Sequence, residues 1–287
     1  MEFVRELVLP VAESKPDLRH GSIFFIGTAT VLLRYAGFTI LTDPNFLHQG
    51  EHVHLGYGMR AKRLTDPAIA IKDLPAFDLV VLSHMHEDHF DRVVQRKLSK
   101  FVPIVTTAQA AHALKGKGFR ATYPLKTWET LTTVKGDALL RITSMPARHA
   151  PGPLTHLLPP VMGSMLEFQA PAGITTLRLY ISGDTLLNKD LKEIPRRYPG
   201  IDMAVLHLGG TKIMGVMLTM DAKQGVQAIK LIAPRVAIPV HYNDYPVFKS
   251  SLEDFQKAVA SAGLTKKVKY INRGETYTFD VPVKQGR

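Results

Sequence analysis

The chain has 287 residues, 45% of them hydrophobic and 21% charged, an ordinary globular composition for one large domain or two small ones. It contains no cysteine, which excludes disulfides, thiolate metal ligands and a cysteine nucleophile, so any bound metal must be held by nitrogen and oxygen. The net charge of +11 is scattered, with only small clusters such as Arg196-Arg197 and Lys266-Lys267-Lys269, so a solvated basic surface is expected and a nucleic-acid partner is disfavoured.

The first twenty residues mix charges into apolar positions and lack a signal-peptide core. No apolar run approaches the ~20 residues of a membrane span. The expected compartment is the cytoplasm. Peripheral membrane contact and oligomeric state stay open at this level.

Strand-like segments come first: SIFFIG, TVLLRYA and FTILTD are short, rich in β-branched or aromatic residues, and bounded by glycines. FDLVVLSH is a nearly continuous apolar run, as expected of a strand covered on both faces. RVVQRKLSKF and TAQAAHALKGKG predict helices, the second closing on glycine. Strands return at TWETLTTV, ALLRITSM, SMLEFQA and TLRLYISGD. Helices are predicted at 188–198, 221–232 and 250–262, alternating with strands at DMAVLHL, RVAIPVH, VKYI and TYTFDV. Both halves run strands first and then strand–helix alternation, with no Ser/Gly linker between them. A single α/β domain over 1–287 is expected, two sheets face to face with helices outside, each half supplying one sheet. Segments 45–74 and 150–163 read as long loops of the kind that bind substrate or cover a site.

The apolar run FDLVVLS ends in His84-Met85-His86-Glu87-Asp88-His89, an H-x-H-x-D-H turn. Four ligand-type side chains in six residues would be mutually repelling without a metal, so this turn reads as a metal site. Asp43, His149, Asp184 and His241 likewise follow apolar strand-like runs. Ligands gather at the carboxyl edge of strands in α/β sheets, so one edge could collect all five segments. His84, His86 and His149 can offer three neutral imidazoles to one divalent ion and leave a position for water. Asp88, His89 and His241 can serve a second ion, and the two oxygens of Asp184 could bridge both. Asp43 reads as a carboxylate that orients a ligand histidine. Taken singly, His149 and His241 also fit structural histidines, and Asp184 and Asp43 fit turn residues.

The ordered set resembles the metallo-β-lactamase-fold hydrolases, whose signature is the H-x-H-x-D-H turn followed by a separate His, Asp and His. SHMHEDHFD, MPARHAP, YISGDT and IPVHYND match it in order, and ILTDP matches the preceding motif. The segments GTATVLLRYAGFTILTDP, IKDLPAFDLVVLSHMHEDHFD and LTMDAKQGVQAIKLIAPRVAIPVHYN are similar to one branch. That branch holds ascorbate-6-phosphate lactonases and N-acylphosphatidylethanolamine-hydrolysing phospholipases D. The resemblance implies a four-layer αββα sandwich of two pseudo-symmetric halves, with a two-metal site on one edge. Branch relatives often carry histidine where this chain has Thr28 and proline where it has His207, so their substrate contacts do not carry over.

The resulting expectation is a hydrolase with two divalent ions, zinc first and manganese second, in which water activated by the ions attacks an ester or lactone. Asp88 and Asp184 are the expected catalytic carboxylates. Tyr242, Asn243 and His207 are candidate substrate contacts or proton donors. The expected substrate is small or lipid-like and preferably anionic, given the basic balance. A phosphodiesterase of phospholipase D type is the alternative within the class. A non-enzymatic metal-binding module is the alternative outside it, opposed by the complete ligand set. Di-iron redox relatives of the fold carry glutamate where this chain has His86, which argues against that role.

Overall fold

A computed structural model describes residues 5–11, 16–56, 58–170 and 173–282. The first half of the chain contains β1 (Arg5–Val8), β2 (His20–Gly27), β3 (Thr30–Tyr35), β4 (Phe38–Thr42), and a hairpin of β5 (His52–Gly56) and β6 (Met59–Lys62). It continues with β7 (Leu79–Val81), α1 (Arg92–Lys97), β8 (Ile104–Thr106), α2 (Ala108–Gly116) and β9 (Thr122–Pro124). The second half begins with β10 (Thr130–Lys135), β11 (Ala138–Met145), β12 (Gly163–Gln169), β13 (Thr175–Ile181), α3 (Glu193–Arg197) and β14 (Met203–His207). A small hairpin of β15 (Lys212–Ile213) and β16 (Val216–Met217) precedes α4 (Ala222–Ile232), β17 (Val236–Val240), α5 (Leu252–Ser261) and β18 (Thr276–Asp280).

The large strands form two seven-stranded sheets, ordered β18-β2-β3-β4-β7-β8-β9 and β1-β10-β11-β12-β13-β14-β17. In each sheet an antiparallel meander gives way to parallel strands, at β4–β7 in the first and β13–β14 in the second. Side chains alternate between faces along every strand. Ile23, Phe25, Val31, Leu33, Leu79 and Val81 therefore meet Leu140, Ile142, Leu166, Leu179 and Val205 in one core between the sheets. The opposite face of the first sheet, with Leu32, Leu41, Val80 and Leu82, is covered by Val94 of α1 and Ala110 and Leu114 of α2. Tyr180, Ala204 and Leu206 of the second sheet are covered by Ile194, Ile229 and Phe255 of α3, α4 and α5. This is the four-layer sandwich, and it explains the unbroken apolar runs: both faces of the central strands are buried.

Several expectations need correction. The halves do not each supply one sheet, because β1 pairs in parallel with β10 and β18 pairs antiparallel with β2. Each sheet therefore borrows an edge strand from the other half of the chain. Segment 45–74 carries the β5–β6 hairpin and a short 3-10 turn at Ile71–Asp73, and segment 150–163 carries a 3-10 helix at Gly152–Leu157. The predicted helix at 188–198 splits into a 3-10 turn, Lys189–Lys192, and the five-residue α3. VKYI is no strand and adds only an isolated bridge from Val268 to Ala237. Among the described residues, no helix is long and apolar enough to cross a membrane.

Candidate metal centre

The predicted ligands sit just past the carboxyl ends of strands. Asp43 follows β4, the His84–His89 turn follows β7, His149 follows β11, Asp184 follows β13 and His241 follows β17. His207 is itself the last residue of β14. Parallel neighbours β4 and β7, and β13, β14 and β17, deliver their ends to one edge of the sandwich. The structure brings the ligand set together there in two groups.

The first group is His84, His86 and His149. His84 Nε2 lies 2.8 Å from His86 Nδ1, which lies 3.1 Å from His149 Nε2. Imidazole nitrogens sharing one tetrahedral zinc at ~2.0–2.1 Å stand roughly 3.3 Å apart, so this crowding fits a common ion. The outward nitrogens are anchored: His84 Nδ1 is 3.0 Å from Ser83 Oγ, and His149 Nδ1 donates to the Leu218 carbonyl at 3.1 Å. An anchored Nδ1–H leaves the Nε2 lone pair free to point inward.

The second group is Asp88, His89, Asp184 and His241. Asp184 Oδ2 lies 3.2 Å from His89 Nε2, and its Oδ1 lies 3.7 Å from His241 Nε2. Asp88 Oδ2 lies 3.4 Å from His241 Nε2 and 3.8 Å from His89 Nε2. His241 Nδ1 donates to the Leu208 carbonyl at 3.2 Å. Despite full burial, both His89 nitrogens and Asp184 Oδ1 make no hydrogen bond. Buried polar atoms without partners are costly, and here they crowd around one another with nitrogen and oxygen lone pairs available. A divalent cation satisfies such a set, so the residues fit the implied metal. The groups touch, with the His84 and His89 rings 4.2 Å apart.

Asp43 braces the site from behind. Its Oδ1 accepts from the Ser83 amide at 2.7 Å, and its Oδ2 accepts from His207 Nε2 at 3.1 Å. The same Oδ2 lies 3.5 Å from His89 Nδ1. Asp43, His89 and His207 form a third close grouping of ligand-type atoms. Its carboxylate oxygens already accept hydrogen bonds from Ser83 and His207, so it reads as a brace.

The three substrate candidates have other jobs. His207 is fully buried and bonded to Asp43. Tyr242 turns into the core between the sheets, 6.1 Å from the Phe25 ring, with its hydroxyl toward the Ile271 carbonyl. The Asn243 side chain accepts from the Leu252 amide at the start of α5. The brace by His207 is the feature that sequence reasoning missed.

Burial depresses the imidazoles of His84, His149 and His207, and holds His86 at about 4, so all four are neutral near pH 7. Burial works against ionised carboxyls too, but facing histidines outweigh it. His207 and His89 hold Asp43 at about 2, and Asp88 and Asp184 lie below the ordinary carboxylate range through His89 and His241. Burial opposes the charged forms of His89 and His241, yet Asp184 and Asp88 push both upward. The carboxylates thus favour positive charge between them.

A sandwich that gathers buried histidines and ionised aspartates at one edge defines a metal-dependent hydrolase class. The family model described as a beta-lactamase superfamily domain matches residues 39–242, a span holding every site residue from Asp43 to His241, and the chain belongs to that superfamily. A UPF0173 metal-dependent hydrolase from Ignicoccus hospitalis is 32% identical over 211 residues, covering 71% of this chain and 79% of the relative. A metallo hydrolase structure from the same archaeon has a TM-score of 0.65 at 25% identity, covering 92% of this chain and 100% of its own. An isothiocyanate hydrolase from Delia radicum gut bacteria shares the fold, with a TM-score of 0.76 at 22% identity, covering 91% and 100%. The chain is a metal-dependent hydrolase of the superfamily.

Proposed function

We propose that the protein is a two-ion hydrolase of an ester or lactone. His84, His86 and His149 would hold one divalent cation, Asp88, His89 and His241 a second, and Asp184 both. Zinc suits this nitrogen and oxygen set, with manganese the next choice. The carrying observation is the contact between the groups, with the His84 and His89 rings 4.2 Å apart, together with Asp184, whose buried Oδ1 has no hydrogen-bond partner while Oδ2 faces His89. When bound, such ions supply Lewis acidity that acidifies a water and polarises a scissile carbonyl.

The chain's own residues supply the rest. Asp88 and Asp184 are the carboxylates positioned to take up a proton from the attacking water. Carbonyls of Leu218 and Leu208 lock the rings of His149 and His241, so the site needs little reorganisation during reaction. His86 is the half-buried member of a set otherwise buried, so substrate approaches from its side. The segment after His149 exposes Leu154 and Leu157, which suit the apolar part of a small or lipid-like substrate. The basic balance and the branch resemblance support an anionic group on that substrate.

The test is an assay of metal-reconstituted protein against lactones, carboxylic esters, thioesters and phosphodiesters, with elemental analysis of the same preparation. Two ions per chain and the highest kcat/KM on a lactone or ester are expected. Phosphodiester preference would move the reading to phospholipase D-type chemistry. Full activity with one ion would sink the two-ion reading, and no hydrolysis of any substrate would sink the ester assignment.

A further inference from the structure

We infer that His207 is a positioning residue for the second ion, acting through Asp43 on His89; this rests on the two-ion reading above. His207 touches no proposed substrate position. It ends β14, is fully buried, and contacts three parts of the centre at once.

The first contact is the 3.1 Å hydrogen bond from Nε2 to Asp43 Oδ2, the oxygen that also faces His89 Nδ1 at 3.5 Å. One carboxylate oxygen therefore sits between two imidazoles, one a proposed ligand and the other not. Asp43 is not free to choose its own orientation. Its backbone has a φ of 34°, in the left-handed region, pinned by its amide on the Val81 carbonyl and by Thr30 Oγ1 on its own carbonyl. Its Oδ1 is committed to the Ser83 amide next to His84. With His207 donating to Oδ2, the carboxylate is held in the plane that meets His89.

The second contact runs toward Asp184. The Ser182 hydroxyl accepts from the His207 amide at 2.8 Å and lies 3.3 Å from His207 Nδ1. Ser182 begins the Ser182-Gly183-Asp184 turn that carries the shared carboxylate. The third contact is packing. The His207 ring stacks on His89 at 5.8 Å and 20°, and lies 5.8 Å from the His241 ring. His207 is thus wedged against both histidines of the second group, and no contact links it directly to His86 or His149 among the described interactions. Outer partners of metal-ligating histidines typically change metal affinity by about 10–100-fold when removed. The expected effect falls on one ion and spares the other.

Two substitutions separate positioning from space filling. His207→Leu fills the volume without a donor, and His207→Gln keeps an N–H that can reach Asp43. Ser182→Ala is a milder variant that loosens His207 while leaving its ring in place. Ion affinities are read by chelator competition and by titration of the metal-free protein with cobalt, with folding checked by circular dichroism. Folded His207→Leu should bind the second ion about 10–100-fold more weakly and the three-histidine ion unchanged. His207→Gln should recover most of the loss, and Ser182→Ala should show a smaller loss at the same ion. Unchanged affinity in folded His207→Leu, or equal weakening of both ions, overturns the inference. If His207→Leu does not fold, an unchanged second ion in Ser182→Ala overturns it. Three ions per wild-type chain would make His207 a ligand and overturn it as well. A wild-type chain that takes up only one ion would instead fail the two-ion reading, and is seen without any variant.

Discussion

Gly183 shows how narrowly a single position controls the centre. It precedes Asp184, its φ is +60°, and a Cβ there would come 2.5 Å from the Met162 carbonyl oxygen. That oxygen is backbone and cannot swing away, and Met162 is tied to the Ser83 carbonyl by its own amide. Gly183→Ala should cost on the order of 1–3 kcal/mol of stability and displace Asp184, seen as a lower melting temperature together with weaker ion retention. Asp184→Asn tests the proposed sharing of this carboxylate directly. It should deplete both ions and reduce kcat/KM by at least about 10²-fold, whereas depletion of only one would remove Asp184 from its bridging position. At this scale the candidate ligands were legible because the chemistry is local: four of the seven lie in one six-residue turn. Partnerships across the chain were not. Asp43 and His207 are 164 positions apart, and nothing in either neighbourhood announces the other. Tyr242 and Asn243 follow His241 in sequence, but past the end of β17 the chain turns through positive φ at His241 and Asn243, Tyr242 goes into the core, and Asn243 accepts from the Leu252 amide.

Elements carry the ligands only as well as their ends are anchored. Asp91, two residues past His89, accepts from the amides of Val93 and Val94 at the start of α1, and from those of Phe46 and Leu47 in the chain after β4. One buried carboxylate thus fastens the metal turn to both the helix and the preceding strand end. Asp91→Ala should destabilise the protein by about 3 kcal/mol, more than an ordinary exposed cap, because four amides lose their acceptor. Chemical denaturation would measure it, and a cost below ~1 kcal/mol would show that water replaces the cap. The 3-10 segment Gly152–Leu157 is the opposite case, with Leu154 and Leu157 exposed, and we expect it to limit substrate entry. Shortening it while keeping His149 and Met162 should change KM among substrates of different bulk and leave ion content intact; constant kinetics across them would make it a mere connection. Long elements with clear periodicity were legible in sequence. The three-residue β8 and β9 were not, because so short a run cannot display a period. VKYI has a strand's composition, but beyond β17 it meets the sheet at one residue only.

At the scale of the molecule, the αββα sandwich could be anticipated because both halves repeat the same order of strands and helices. The exchange of β1 and β18 between sheets could not, since strand pattern gives a segment's type and says nothing of which sheet receives it. The exchange pairs strands of one half with the sheet of the other, and the candidate metal centre draws on both sheets again. The first sheet supplies Asp43 and the His84–His89 turn, while the second supplies His149, Asp184 and His241. Ions bound across that seam should therefore stabilise the whole fold. A ligand at 100 times its Kd adds about 2.7 kcal/mol per site when the unfolded chain does not bind it. For a chain of this size each kcal/mol moves Tm by roughly 2–4 °C, so each ion should raise Tm by about 5–11 °C. The unfolded chain keeps its histidines, and any ion they hold reduces the gain. The sign is fixed by the chemistry: three buried carboxylates, Asp43, Asp88 and Asp184, stay ionised beside the ligand nitrogens and lose compensating charge when the ions leave. Calorimetry of chelated and zinc-reloaded protein should show one cooperative transition in each, lower in the chelated sample and restored by reloading. A Tm indifferent to zinc at saturating concentration would mean that zinc does not bind the native chain in preference to the unfolded one, and would overturn the metal site.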